Sequence, residues 1–236
     1  DATRLATGGA DGFVQVWDVE TGDKIYEWRA DPRSTAAIWS VQGQANGVTN
    51  VKFSPDGRYL AASTDETGEP ENGSALIKIW ELAGGNEMTA LEEIPRRIWG
   101  LSFSPDSRYV AGAGGSGINR VWDVATGAQI ANLQGEATRI SHAHFLPDGG
   151  RLITGLSGVV IWDLASQEAL IRLPQSLAPY AVRADGRYLA ATGDRGIHIY
   201  TLNFEELMAI ARSRVTRSLT AAECRAYLHV DACPEE

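Results

Sequence analysis

A chain of 236 residues is long enough for one or two domains with a real core, and its 44% hydrophobic and 22% charged residues are globular values that exclude a disordered chain. No apolar run approaches the roughly 18–20 residues of a membrane-spanning helix, and a formal net charge of −9 argues against broad binding to nucleic acid or anionic membranes. Two cysteines, Cys224 and Cys233, make no disulfide framework, so a reducing cytoplasm is the expected compartment.

Residues 1–30 predict three short strands, the second running into VQVWDVETG (14–22) and the third being KIYEWRA (24–30). A long connection, DPRSTAAIWSVQGQANG (31–47), follows. KFSPDGRYLAAS (52–63) then reads as two antiparallel strands around a Pro-Asp-Gly turn, because Asp and Gly supply the turn geometry. After DETGEPENGS (65–74) come the strand end IKIWELAGG (77–85) and a further run, MTALEEI (88–94). The same order returns as SFSPDSRYVAGA (102–113), NRVWDVATG (119–127) and QIANLQG (129–135), and again as HFLPDGGRLITG (144–155), VVIWDLASQ (159–167) and ALIRLPQ (169–175). The last cycle, VRADGRYLAATG (182–193) with IHIYTLNFE (197–205), stops at three strands.

The strand-end aromatics Trp17, Trp80, Trp122, Trp162 and Tyr200 are spaced by 63, 42, 40 and 38 residues. Each should pack between adjacent sheets as core. Four short strands per unit of about 40 residues, each carrying a Trp-Asp type of mark, describe a propeller blade. The chain resembles WD40-repeat β-propellers from residue 1 to about 202, which implies an all-β fold. Eighteen strands are predicted in five blades: the first lacks its innermost strand and the last its outer one. None of the repeats has the Gly-His dipeptide of that family. Asp11 and Asp194 match its structural Asp, so the hydrogen-bond network around the Trp is expected to be incomplete, with packing holding the blades.

From Trp17 to Pro55 is 38 residues, against 25 from Trp80 to Pro105 and from Trp122 to Pro147, an excess of 13 within 31–47. About 8 more residues lie within 65–74. In a propeller, both kinds of connection lie on one face. Long loops on a rigid scaffold often carry function. The first insertion brings Arg33 and Trp39, and the equivalent connections bring Arg96, Arg97 and Trp99, then Arg139 and His142, then Tyr180. The second insertion is acidic, with Asp65, Glu66, Glu69 and Glu71. Arginine and aromatic residues on a rim are the composition of a protein-binding surface, with Arg97 and Trp99 the favoured anchors.

After residue 202 the periodicity becomes helical. Asn203 with Glu206 forms an N-cap signature ahead of an apolar stripe of Phe204, Leu207, Met208, Ala211 and Val215, and Thr220 with Glu223 opens a second helix. The 203–236 tail, with its pattern RSLTxxECxxYLHxxxCP, resembles the C-terminal end of large bacterial multidomain WD40 proteins, in which the propeller follows an effector, kinase or STAND-type NTPase module. That resemblance implies an upstream portion of the same protein that completes the ring. Cys224 and Cys233 could be reduced or disulfide-bonded. With His229 they lack zinc-finger spacing, and His142 with His144 lacks a third ligand. No P-loop, GxSxG or HExxH occurs. The expectation is a non-enzymatic protein-interaction and regulatory module of a signalling protein, without cofactor or metal. Structural assembly or autoinhibition of an effector, and small-molecule binding in the channel, are the alternatives.

Overall fold

The computed structural model describes residues 3–30, 47–64, 74–91, 94–95, 98–114, 118–134, 140–156, 158–173, 180–193 and 196–203, and of the tail residues 206, 209, 210 and 213. Among these lie twenty strands. The first sheet is β1 (Arg4–Gly8), β2 (Phe13–Asp18) and β3 (Lys24–Arg29). Then come β4 (Val48–Phe53), β5 (Tyr59–Thr64), β6 (Ser74–Ala75), β7 (Ile77–Glu81), β8 (Asn86–Ala90) and β9 (Ile94–Pro95). The second sheet is β4-β5-β7-β8, and β6 pairs with β9 as a separate ribbon. The third is β10 (Ile98–Phe103), β11 (Tyr109–Gly114), β12 (Ile118–Asp123) and β13 (Gln129–Gln134). The fourth is β14 (Ile140–Phe145), β15 (Arg151–Leu156), β16 (Val159–Asp163) and β17 (Ala169–Leu173). The fifth has three strands, β18 (Tyr180–Val182), β19 (Tyr188–Gly193) and β20 (Gly196–Thr201).

The five antiparallel sheets hold the eighteen strands expected from the sequence, distributed as expected. The β6–β9 ribbon, bridged at Ala75 and Ile94, is additional. It ties the end of the second insertion to the connection between the second and third sheets.

Register gives each sheet two distinct faces. One carries the residue paired to the strand-end aromatic: Leu5 with Trp17, Leu60 with Trp80, Val110 with Trp122, Leu152 with Trp162 and Leu189 with Tyr200. We term this the aromatic face. The other, the aliphatic face, carries the pairs Ala6–Val16, Ala61–Ile79, Ala111–Val121, Ile153–Ile161 and Ala190–Ile199. The two sets are adjacent in sequence and so point opposite ways.

The core lies between sheets, and every interface joins an aliphatic face to the next sheet's aromatic face. Val14 and Val16 meet Leu60 and Trp80. Ile77 and Ile79 meet Val110 and Trp122. Ala111 and Val121 meet Leu152 and Trp162. Val159 and Ile161 meet Leu189 and Tyr200. Trp80 and Trp122 are fully buried and Trp162 nearly so; replacing such an indole by Ala would cost about 3–5 kcal/mol. Trp17 and Tyr200 are half-buried. At the first interface an aromatic stack adds to the packing. Tyr26 lies on Trp28 at 4.9 Å and Trp28 on Trp80 at 5.3 Å. The Tyr26 hydroxyl and the Trp28 indole donate to the carbonyls of Leu82 and Gly85, at 2.7 and 2.9 Å.

The expected incompleteness of the Trp network has a residue-level cause. Trp17 Nε1 donates to Thr7 Oγ1 at 3.1 Å and Trp162 Nε1 to Thr154 Oγ1 at 2.9 Å. In the second and third sheets that strand position holds Ala62 and Gly112, and the buried Nε1 atoms of Trp80 and Trp122 have no protein partner. Asp11 Oδ1 accepts the Phe13 N–H at 3.1 Å within the β1–β2 turn. Asp194 lies outside the described residues.

In the tail, the Asn203 side chain accepts the Glu206 N–H at 3.1 Å, the N-cap expected there. Glu206 reaches back to the last sheet, accepting from the Tyr188 hydroxyl at 2.5 Å and lying 3.5 Å from the Arg187 guanidinium. The apolar stripe, the second helix and both cysteines lie outside the described residues. No helix among the described residues is long and apolar enough to cross a membrane.

Candidate functional site

Three innermost strands, β4, β10 and β14, begin with the same irregularity. Register slips between Val48 and Asn50, between Ile98 and Gly100, and between Ile140 and His142. One residue in each strand, Thr49, Trp99 and Ser141, is therefore extra to the pairing. Such a bulge re-aims a side chain. Its signal is in the sequence, where the apolar alternation stretches from two residues to three: Val48, Val51, Phe53; Ile98, Leu101, Phe103; Ile140, Ala143, Phe145.

The bulge decides the fate of Trp99. Ile98 and Gly100 on either side are buried, whereas Trp99 is 47% exposed, the reverse of a core indole such as Trp122 at 0%. The neighbouring bulge is fastened rather than open. Thr49 Oγ1 lies 2.9 Å from Ser63 Oγ and donates to the Ile98 carbonyl at 3.2 Å, which Asn50 Nδ2 also approaches at 3.3 Å. That carbonyl belongs to the residue before Trp99, so the second sheet braces the strand that presents it.

On the other side, β10 and β14 run close together at Gly100, where a Cβ atom would come within 2.5 Å of the Ala143 nitrogen and 2.8 Å of the His142 carbonyl carbon. Only glycine permits that approach. It places the exposed His142 beside the strand that carries Trp99. His142 stands edge-on to Tyr180 at 5.7 Å. Tyr180 is mainly a packing residue: it sits against the fourth sheet's aliphatic core, its ring close to Gly155 and its hydroxyl directed at the Ile153 carbonyl at 3.4 Å. Burial pushes its phenol well above the ordinary value. Desolvation and the Lys52 ammonium hold the His144 imidazole below the usual histidine range.

Trp99, His142 and Tyr180 thus lie at the starts of three successive inner strands. Arg33, Trp39, Arg96, Arg97 and Arg139 lie outside the described residues. The ends of both insertions are described. Ala30 N–H donates to Gly12 O at 2.9 Å and Val48 N–H to Gly9 O at 3.0 Å, so the first insertion leaves and returns at the β1–β2 turn. Thr64 N–H donates to Leu76 O at 2.9 Å across the base of the second, which the β6–β9 ribbon joins to the approach to Trp99. Among the described residues no group of three or more His, Cys, Asp or Glu side chains is arranged to hold a metal ion.

Comparison with known proteins adds a likeness over part of the chain. The WD40 model, described as "WD domain, G-beta repeat", matches residues 1–18, 36–68 and 91–123. Those three stretches match WD40 repeats, and the fourth and fifth sheets continue the same register beyond them. Protein HIR1 of Kluyveromyces lactis is 31% identical over 137 residues, 48% of this chain and 15% of that protein. A coronin-like protein of Saccharomyces cerevisiae is 25% identical over 111 residues, 46% of this chain and 16% of its own length. An uncharacterized WD repeat-containing protein of Deinococcus radiodurans is 39% identical over 62 residues, 26% of this chain and 21% of that protein. The chain spans only 15–21% of the length of these three relatives.

Proposed function

We propose that this chain is a protein-interaction and regulatory module of a larger bacterial signalling protein, non-enzymatic and working in the cytoplasm, and that it engages a protein partner through the face on which the insertions end. The observation that carries the reading is Trp99. A large aromatic side chain is turned outward by a bulge between two buried residues, braced from both neighbouring sheets, and set beside an exposed histidine. A rigidly held aromatic is the kind of anchor that dominates binding energy at protein interfaces. WD40 repeats generally mediate protein interactions, and the resemblance of the 203–236 tail to bacterial multidomain proteins, together with the Deinococcus radiodurans relative, supports the bacterial setting.

Affinity capture with the chain as bait, from the cells that make it, tests the site. Trp99→Ala, and Arg97→Ala with it, are expected to reduce recovery of a reproducible partner at least tenfold while thermal stability holds. Equal recovery by the variants would overturn the assignment.

A second, compatible role is assembly. Its support is at the two ends, where the first sheet's aromatic face and the last sheet's aliphatic face have no neighbouring sheet among the described residues. The upstream portion of the same protein, expected to complete the ring, would have to present the complementary faces.

A further inference from the structure

In the third sheet, between the second and the fourth, a cation stands without the acid that its counterparts have. Two residues before the strand-end Trp of the first three sheets are Gln15, Lys78 and Arg120. Gln15 Nε2 donates to Glu27 Oε2 at 2.6 Å and Lys78 Nζ to Glu87 Oε2 at 2.9 Å, so each donor meets a glutamate from the outer strand of its own sheet. In the third sheet the register positions of those two glutamates hold Asn132 and Gln129. In the fourth sheet the donor itself is replaced by Val160. Among the described residues Arg120 makes no hydrogen bond or ion pair, and its Nε is buried without an acceptor. Such groups are destabilising and rare in folded proteins.

The site is open to a ligand. Arg120 as a whole is only half-buried, and Asn132, its cross-strand pair on the same face of the sheet, is exposed. A guanidinium offers N–H donors in a planar fork and no acceptor, and the Asn132 carboxamide adds further N–H donors, so the fitting ligand is an oxyanion. The acceptor at this place in the first and second sheets is in both cases a glutamate. We propose that Arg120, with Asn132 beside it, receives the side-chain carboxylate of a Glu or Asp on the protein partner. This rests on the reading of the chain as an interaction module and names the chemistry the partner brings. Arg120 is joined through Gly112 to Leu101, two residues after Trp99. It therefore stands about 10 Å across the same sheet from the strand that carries Trp99. An extended partner segment covers that distance in about three or four residues.

The test is a titration of the 236-residue chain with propionate, which is the carboxylate of a glutamate side chain on its own. Propionamide is the uncharged control and inorganic phosphate the rival oxyanion. The readout is the Nε–Hε cross-peak of Arg120 in a proton–nitrogen correlation spectrum, assigned by its absence in Arg120→Met. A saturable shift with propionate is expected, with the Asn132 side-chain peaks moving alongside and propionamide leaving both in place. In Arg120→Met the response of Asn132 is expected to vanish while the melting temperature stays at or above that of the parent, because the variant removes a donor that had no acceptor and keeps an apolar stem. Arg120→Lys, which keeps the charge without the fork, is expected to weaken the Asn132 response at least fivefold. No saturable shift with propionate, or saturation by phosphate at a tenfold lower concentration, overturns the proposal. A lower melting temperature in Arg120→Met also overturns it, since the guanidinium would then be bonded within the chain. The reading of Trp99 as the partner's anchor is judged separately, by capture with Trp99→Ala, and in that variant propionate is expected to shift the Arg120 peak as in the parent.

Discussion

Among the described residues, Ser107 and Gln167 are the non-glycine residues with φ in the left-handed region, at 62° and 59°. Equivalent turns elsewhere use Gly57 and Gly149 in the one case, and Gly22, Gly85 and Gly127 in the other. Both use their side chains across a sheet boundary. Ser107 Oγ accepts the Asp56 N–H at 3.1 Å, and Gln167 Oε1 accepts the Asn132 N–H at 3.3 Å. The cost of a left-handed residue, about 1–2 kcal/mol, is offset by a stitch that glycine cannot make. The opposite case is Trp80, whose indole N–H is buried with Ala62 where Thr7 and Thr154 serve the other sheets. Ala62→Ser should supply the acceptor and raise the melting temperature by a few degrees, about 1 kcal/mol. Gly112→Ser in the third sheet should lower it, because a Cβ there would lie 2.8 Å from Ile77 Cδ1 and 3.1 Å from Trp122 Cζ3. Thermal melts of the two variants decide this, and a loss of stability in Ala62→Ser would refute the account.

At the level of the element, the turns after the third strands are capped by their own Asp. Asp123 Oδ1 accepts from the backbone and hydroxyl of Thr126, both at 2.9 Å, and Asp163 accepts from Ser166 in the same way, at 2.7 and 2.9 Å. These bonds, the backbone ones foremost, hold both carboxyls below the usual carboxylate range. A depressed value in the folded state means that this stabilisation is full above the ordinary Asp value near 4 and is lost as pH falls through the folded one. Asp123→Asn and Asp163→Asn should therefore lower the melting temperature at pH 7, and the gap from the parent should narrow toward pH 3. A gap independent of pH would show that the charge of the cap is irrelevant. The turns and strands were legible because Pro-Asp-Gly and Trp-Asp-x-x-Thr-Gly impose local geometry. The exposure of Trp99 was less so. Its rim position follows from spacing, but its outward direction depends on the one-residue slip between Ile98 and Leu101, which becomes informative only beside the same slip at Val48 and Ile140. The packing role of Tyr180 depends on its contact with the fourth sheet, which strand order alone does not reveal.

At the scale of the molecule, the fold is one contact repeated. Its regularity is why eighteen strands in five sheets could be read from the repeat, and why the β6–β9 ribbon, which belongs to no repeat, could not. The most direct test is carbene footprinting of the chain in dilute solution, read residue by residue. The account predicts strong labelling of Trp99, which is 47% exposed, and protection of the buried indoles Trp80 and Trp122. Equal labelling of Trp99 and the two buried indoles would contradict it.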